Sequence, residues 1–96
     1  QRTPLVLGSK NKPIKKIAWC TGGAQSYIEH AIDVGADCFI TGEVSEQIPG
    51  ICQENDIAFI SAGHHATERY GVQALCQHLS QEFSLDYQYI DIDNIV

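Results

Sequence analysis

The stretch of sequence that decides the fold is residues 57–69, IAFISAGHHATER. Its short apolar run predicts a buried strand, and the residues after it predict a helix that begins near His64. His64 and Glu68 then lie four residues apart on one helix face. An imidazole and a carboxylate at a strand-to-helix corner can bind one divalent cation, although the same spacing also fits a solvated ion pair. Two ligands are fewer than a zinc or iron site takes from protein.

Strand and helix patterns alternate around this corner. We predict an edge strand and a basic loop in residues 1–13, and a single α/β domain over residues 14–96. Further strands are predicted near residues 14–20, 37–41 and 85–92, and further helices near 24–34 and 44–55. This order predicts a mainly parallel sheet flanked by helices on both faces.

Two of the predicted helices carry specific expectations. The second contains Pro49, so it either kinks there or begins there after a short turn. The third runs from His64 to about Phe83, and its apolar residues are expected to face inward. Those residues are Val72, Leu75, Cys76, Leu79 and Phe83.

Composition restricts the class of protein. The net charge of -6 argues against nucleic acid as a partner. The lysines near the start are interpreted as a solvated segment, with a local contact to phosphate as the alternative. The four cysteines lack C-x-x-C spacing and predict a reduced, cytoplasmic protein. No run is long enough for a membrane span. The chain begins at Gln1 and contains no methionine, so we expect it to be part of a longer protein.

Three predicted strand ends carry small or polar residues: TGG at 21–23, TGE at 41–43 and GHH at 63–65. Because the carboxyl ends of parallel strands share one edge, we expect one cleft that contains Glu43, His64, His65 and Glu68. Glu43 could bind metal, act as a base or stabilise a helix dipole, and we favour the last role. The same dipole is expected to keep His64 neutral.

Residues 17–26 (IAWCTGGAQS), 37–47 (DCFITGEVSEQ) and 62–69 (AGHHATER) together resemble the C-terminal part of the Nif3-like family. The bacterial YbgI type, often labelled "GTP cyclohydrolase 1 type 2 homolog", is most similar, from about Ile14 onward. The resemblance implies a ring-shaped homohexamer with a two-metal site, to which this part contributes His64 and Glu68. The other ligands would come from an N-terminal part. Many relatives have an aspartate and a histidine where this chain has Glu43 and Gln47, which puts any proton-transfer role of that histidine in doubt here.

These observations predict a divalent-metal-binding protein that contributes half of a two-metal, hydrolase-like site. Iron, manganese or zinc would suit the ligands, with two ions per full-length chain, and the substrate would be a nucleotide or another phosphate-containing molecule. The chain alone is expected to be inactive. The alternative is a non-enzymatic oligomerisation, regulatory or metal-handling domain.

Overall fold

In the part of the chain that the structure describes, the sheet contains four short strands. The computed structural model describes residues 2–8 and 11–96, so part of the predicted basic loop, residues 9 and 10, lies outside the described residues. The strands are β1 (Leu5–Leu7), β2 (Ile17–Cys20), β3 (Cys38–Thr41) and β4 (Ala58–Ser61). Their spatial order is β1-β4-β3-β2.

The sheet is mixed, so the expectation of a mainly parallel sheet is not confirmed. Strands β2, β3 and β4 are parallel, whereas β1 pairs antiparallel with β4, with Leu5 opposite Ser61 and Leu7 opposite Phe59. The parallel strands are joined through helices, as parallel neighbours require. A parallel pair of consecutive strands needs a helix or a long connection between them. No helix separates β1 from β2 in the described residues, and β1 pairs antiparallel with the outer edge of β4 instead.

Over residues 2–8 and 11–96, three α-helices and one 3-10 turn connect and follow the strands. The predicted first helix is a 3-10 turn (Gln25–Tyr27) followed by α1 (Ile28–Asp33), and α2 covers Ile48–Asn55. Pro49 lies in the first turn of α2, where its missing N–H costs no helical hydrogen bond. This confirms the alternative in which a turn precedes the helix. The third helix, α3, runs from His64 to Phe83, as predicted.

The core lies between one face of the sheet and helices α1 and α2. The rings of Phe39 and Phe59 are neighbours in the sheet, with centroids 5.9 Å apart, and both side chains are buried. Residues of the two helices and of the loop before β4 complete this buried cluster: Ile28, Ala31, Ile48, Cys52 and Ile57. The cluster fixes the sheet against α1 and α2, and so holds the strand ends that carry the polar motifs.

The opposite face of the sheet is less covered than the core face within the described residues. Side chains alternate along a strand, so Trp19 and Ile40 lie opposite the core row that contains Ala18 and Phe39. Trp19 is 74% exposed. The described residues therefore do not confirm the expectation of helices on both faces.

Helix α3 has no buried residue, which contradicts the expectation that its apolar stripe faces inward. Val72, Leu75 and Phe83 are all more than half exposed. The spacing of the apolar residues correctly predicts an amphipathic helix, but no described helix or strand covers its apolar stripe. None of the helices in the described ranges combines the length and the apolar character needed to cross a membrane.

The predicted last strand does not form among the described residues. Ser84 ends α3 in the left-handed conformation, and residues 84–96 continue without regular secondary structure. This segment returns along α3, and the Val96 carbonyl accepts a hydrogen bond from the backbone N–H of His65 at 2.9 Å. Alternating side chains favour a strand only where a sheet edge is available, and neither edge of this sheet pairs with the segment.

Candidate metal centre

The loops that follow β2, β3 and β4 are joined by backbone hydrogen bonds. Gly42 N–H donates to the carbonyl of Gly22, and Gly63 N–H donates to the carbonyl of Gly42, both at 3.0 Å. The Thr41 hydroxyl also donates to the Gly22 carbonyl, at 3.2 Å. These bonds bring the three predicted corners to one edge of the sheet, as their positions after parallel strands require.

Two carboxylates lie on either side of the His64 imidazole. Nδ1 of His64 lies 2.5 Å from Oε1 of Glu43, and Nε2 lies 3.0 Å from Oε2 of Glu68. All three side chains are partly exposed. The sequence therefore predicted correctly that Glu43, His64 and Glu68 lie together. Glu43 is not in a helix, since α2 begins at Ile48, so the favoured role of stabilising a helix dipole is wrong.

The carboxylates also determine the charge of His64. The hydrogen bond with Glu43 raises the pKa of the imidazole above its usual value, and the negative charge of Glu68 adds to the increase. The raised pKa of His64 runs against the expectation that a helix dipole keeps the ring neutral, because both carboxylates favour the protonated imidazole. A metal ion at Nε2 would have to displace a proton.

The residues fit a metal ion on one side of the ring. Two ligands that meet at about 90° on an ion, as in octahedral coordination, and lie about 2.1 Å from it are about 3.0 Å apart. The Nε2–Oε2 separation of 3.0 Å matches this arrangement as well as a direct hydrogen bond. The space beside them depends on Gly22, whose φ is +74°. A Cβ atom there would lie 2.6 Å from Oε1 of Glu68 and 3.2 Å from Nε2 of His64.

Glu43 cannot join the same ion without rearrangement. It contacts Nδ1, on the other side of the ring from Nε2, so its carboxylate and that of Glu68 face different ends of His64. Over residues 2–8 and 11–96, no group of three or more His, Cys, Asp or Glu side chains is arranged to hold a metal. The described chain therefore provides at most part of a complete ligand set.

His65 lies outside the contacts around His64. Its Nε2 is 3.7 Å from Oδ1 of Asp91, and Arg69 approaches the other oxygen of Asp91 at 3.4 Å. The two side chains line a cavity of about 540 Å³ that also reaches His64 and Glu68. The sequence analysis missed Arg69 and Asp91. The four-residue spacing of His65 and Arg69 could have indicated the helix pair, but no local pattern connects Asp91 with it.

The fold and this corner define an α/β domain with a histidine–carboxylate pair at the carboxyl ends of its parallel strands. The profile of the DUF34/NIF3 family (NGG1p interacting factor 3) matches residues 1–95. The chain belongs to this family. It is 55% identical over 93 residues to a Pseudomonas aeruginosa protein described as a "GTP cyclohydrolase 1 type 2 homolog", covering 97% of this chain and 36% of the relative.

Other proteins are similar to this chain in sequence or in structure. A Neisseria meningitidis serogroup B protein with the same description is 48% identical, over 98% of this chain and 38% of its own length. The solved structure of protein ybgI, of unknown function, superimposes with a TM-score of 0.92 at 47% identity, covering 99% of this chain and 39% of that one. A Thermus thermophilus protein gives a TM-score of 0.85 at 29% identity, with coverages of 97% and 37%. The chain therefore spans little more than a third of the length of these relatives.

Proposed function

We propose that this chain contributes His64 and Glu68 to a two-metal, hydrolase-like site that is completed by residues from elsewhere in the full-length protein. The observation that carries the proposal is the 3.0 Å separation of Nε2 and Oε2 beside a glycine that leaves room for an ion. Family membership supports it, since relatives described as GTP cyclohydrolase 1 type 2 homologs match almost the whole chain. Iron, manganese and zinc all suit a histidine with a carboxylate.

Glu43 acts in this proposal as a positioning residue. Its carboxylate would accept the Nδ1–H of His64, which would fix the ring orientation and leave the Nε2 lone pair free to bind a metal ion. Glu68 supplies the neighbouring oxygen. When bound, the metal ions would polarise the substrate and lower the pKa of a bound water. The substrate class we propose is a nucleotide or another phosphate-containing molecule.

Metal titration of the natural protein that contains this chain tests these roles. Glu43→Gln keeps the ligands but weakens the orienting hydrogen bond, so we expect metal affinity to fall by about 10- to 100-fold, the usual effect of losing such a partner. His30, an exposed histidine in α1, provides the matched control, and His30→Ala should bind metal like the unmodified protein. Equal affinity of Glu43→Gln and the unmodified protein would contradict the positioning role.

The second candidate function is assembly without catalysis. Within the described part of the chain, helix α3 has no buried residue, and Trp19 on the sheet face opposite the core is 74% exposed. Apolar side chains on both are therefore available for contacts. The homohexamer implied by family resemblance would use such surfaces. Light scattering of the natural protein, with and without Leu75→Glu, tests this role. A ring that dissociates in the variant would support it, and an unchanged mass would argue against α3 as an assembly surface.

A further inference from the structure

The cavity beside His64 and Glu68 also contains a second pair of side chains, which favours an anion. The first pair, in contrast, is proposed to bind a cation. His65 and Arg69 are four residues apart on α3, directly next to the first pair. Both approach the carboxylate of Asp91, His65 at 3.7 Å and Arg69 at 3.4 Å. An anionic group of the protein itself therefore already lies between an imidazole and a guanidinium.

Asp91 makes only long contacts with His65 and Arg69, so it meets the hydrogen-bonding needs of neither side chain well. A separation of 3.7 Å is too long for a hydrogen bond, so Nε2 of His65 is removed from solvent without a hydrogen-bond partner among the described residues. The contact of Arg69 is also long, and its side chain stays 37% exposed. Because an unsatisfied polar atom is costly when buried, a ligand with more acceptor oxygens would bind here more favourably than one carboxylate.

We propose that His65 and Arg69 form a subsite for the phosphate group of a small organic phosphate, which displaces the carboxylate of Asp91 when it binds. This inference rests on the proposed function, because it places the phosphate next to His64 and Glu68. A phosphate offers three acceptor oxygens and up to two negative charges. The planar guanidinium of Arg69 can donate two parallel hydrogen bonds to it, while the imidazole of His65 donates a third.

The dimensions of the cavity favour an organic phosphate over the free ion. Its volume of about 540 Å³ lies within the usual range of small-molecule sites and far exceeds what one phosphate fills. Apolar side chains form part of the wall and would contact the remainder of the ligand. They are Val72, Ile90 and Ile92.

Asp91 is able to move away. It lies in the segment of residues 84–96, which has no regular secondary structure. Beyond Asp91, this segment is held to the domain by the bond between His65 N–H and the Val96 carbonyl, and by the bond from Arg2 to the Ile95 carbonyl. Displacement of the Asp91 side chain therefore does not require any helix or strand to unfold.

Calorimetric titration with phenyl phosphate tests the subsite in the natural protein that contains this chain, after its metal has been removed with a chelator. We expect Arg69→Gln to weaken binding at least tenfold. Asp91→Asn removes the competing charge and should tighten binding several-fold, a gain that a misfolded variant could not produce. Lys12→Gln alters a distant lysine that pairs with Asp56, and its affinity should equal that of the unmodified protein.

Equal affinity of Arg69→Gln and the unmodified protein, or weaker binding by Asp91→Asn, would overturn the subsite. The chelator keeps this result separate from the proposed function, because no metal takes part in the titration. Metal binding by the unmodified protein is measured in its own experiment. A protein that binds no metal but shows the expected phosphate result would refute the two-metal proposal and retain the phosphate subsite.

Discussion

Replacing Gly42 with alanine would place a methyl group between two backbone segments that cannot rotate away from it. The added Cβ would lie 2.7 Å from the carbonyl oxygen of Gly22 and 2.7 Å from the Cα atom of His64. Favourable contacts between carbon atoms are about 3.5–4.0 Å long, so the neighbours would have to separate by roughly 1 Å. Overpacking of this kind costs about 1–3 kcal/mol. The movement would also separate His64 from the loop of Gly22.

Urea unfolding of the natural protein, followed by circular dichroism, measures this cost. We expect Gly42→Ala to lower the free energy of unfolding by about 1–3 kcal/mol, and to weaken metal binding as well. Gly71 provides a matched control, because a Cβ there meets nothing within 4 Å. Inside a helix, Gly71→Ala should stabilise the protein by up to about 1 kcal/mol. If Gly42→Ala unfolds at the same urea concentration as the unmodified protein, the close packing of the three loops is wrong.

Two further predictions concern residues that are not proposed as metal ligands. Backbone N–H groups of Lys15 and Lys16 donate to Asp37 and hold the pKa of its carboxyl below the usual value, so this stabilisation is present above about pH 4 and is lost as pH falls through the lowered pKa. Asp37→Asn should therefore reduce the loss of unfolding free energy on acidification, and an unchanged pH profile would contradict this. Alkylation followed by mass spectrometry should modify the partly exposed Cys20 well before the buried Cys52, and equal rates would contradict the described burial.

Features that depend on neighbouring residues in the sequence were predicted well. The apolar run of residues 57–61 and the polar residues after it gave the strand and the start of α3 at His64. The helix predicted near residues 24–34 ends at Asp33, and Gly35 just after it has a φ of +69°, the left-handed conformation that commonly ends a helix. The pairing of Glu68 with His64 followed from their spacing within one helix. In each case the sequence pattern and the local structure that it predicts lie within a few residues of each other.

Specific contacts between distant parts of the chain were not predicted, although the cleft that brings Glu43 and His64 together was expected. The contact of Glu43 with Nδ1 of His64 joins residues 21 positions apart, and only the folded corner reveals it as an orienting hydrogen bond. The apolar stripe of α3 marks the side that favours burial, but a pattern within one helix cannot say what covers it. The alternation in residues 85–92 likewise predicts a strand without identifying a partner edge.

Metal content of the natural protein that contains this chain, beside that of its His64→Ala, Glu68→Ala double variant, tests the central claim most directly. Both side chains are partly exposed, so their replacement should leave the fold intact, which circular dichroism would verify. We predict about two divalent ions per chain in the unmodified protein and a large loss in the variant. The same metal content in both proteins, with the fold intact, would contradict the assignment of His64 and Glu68 as ligands.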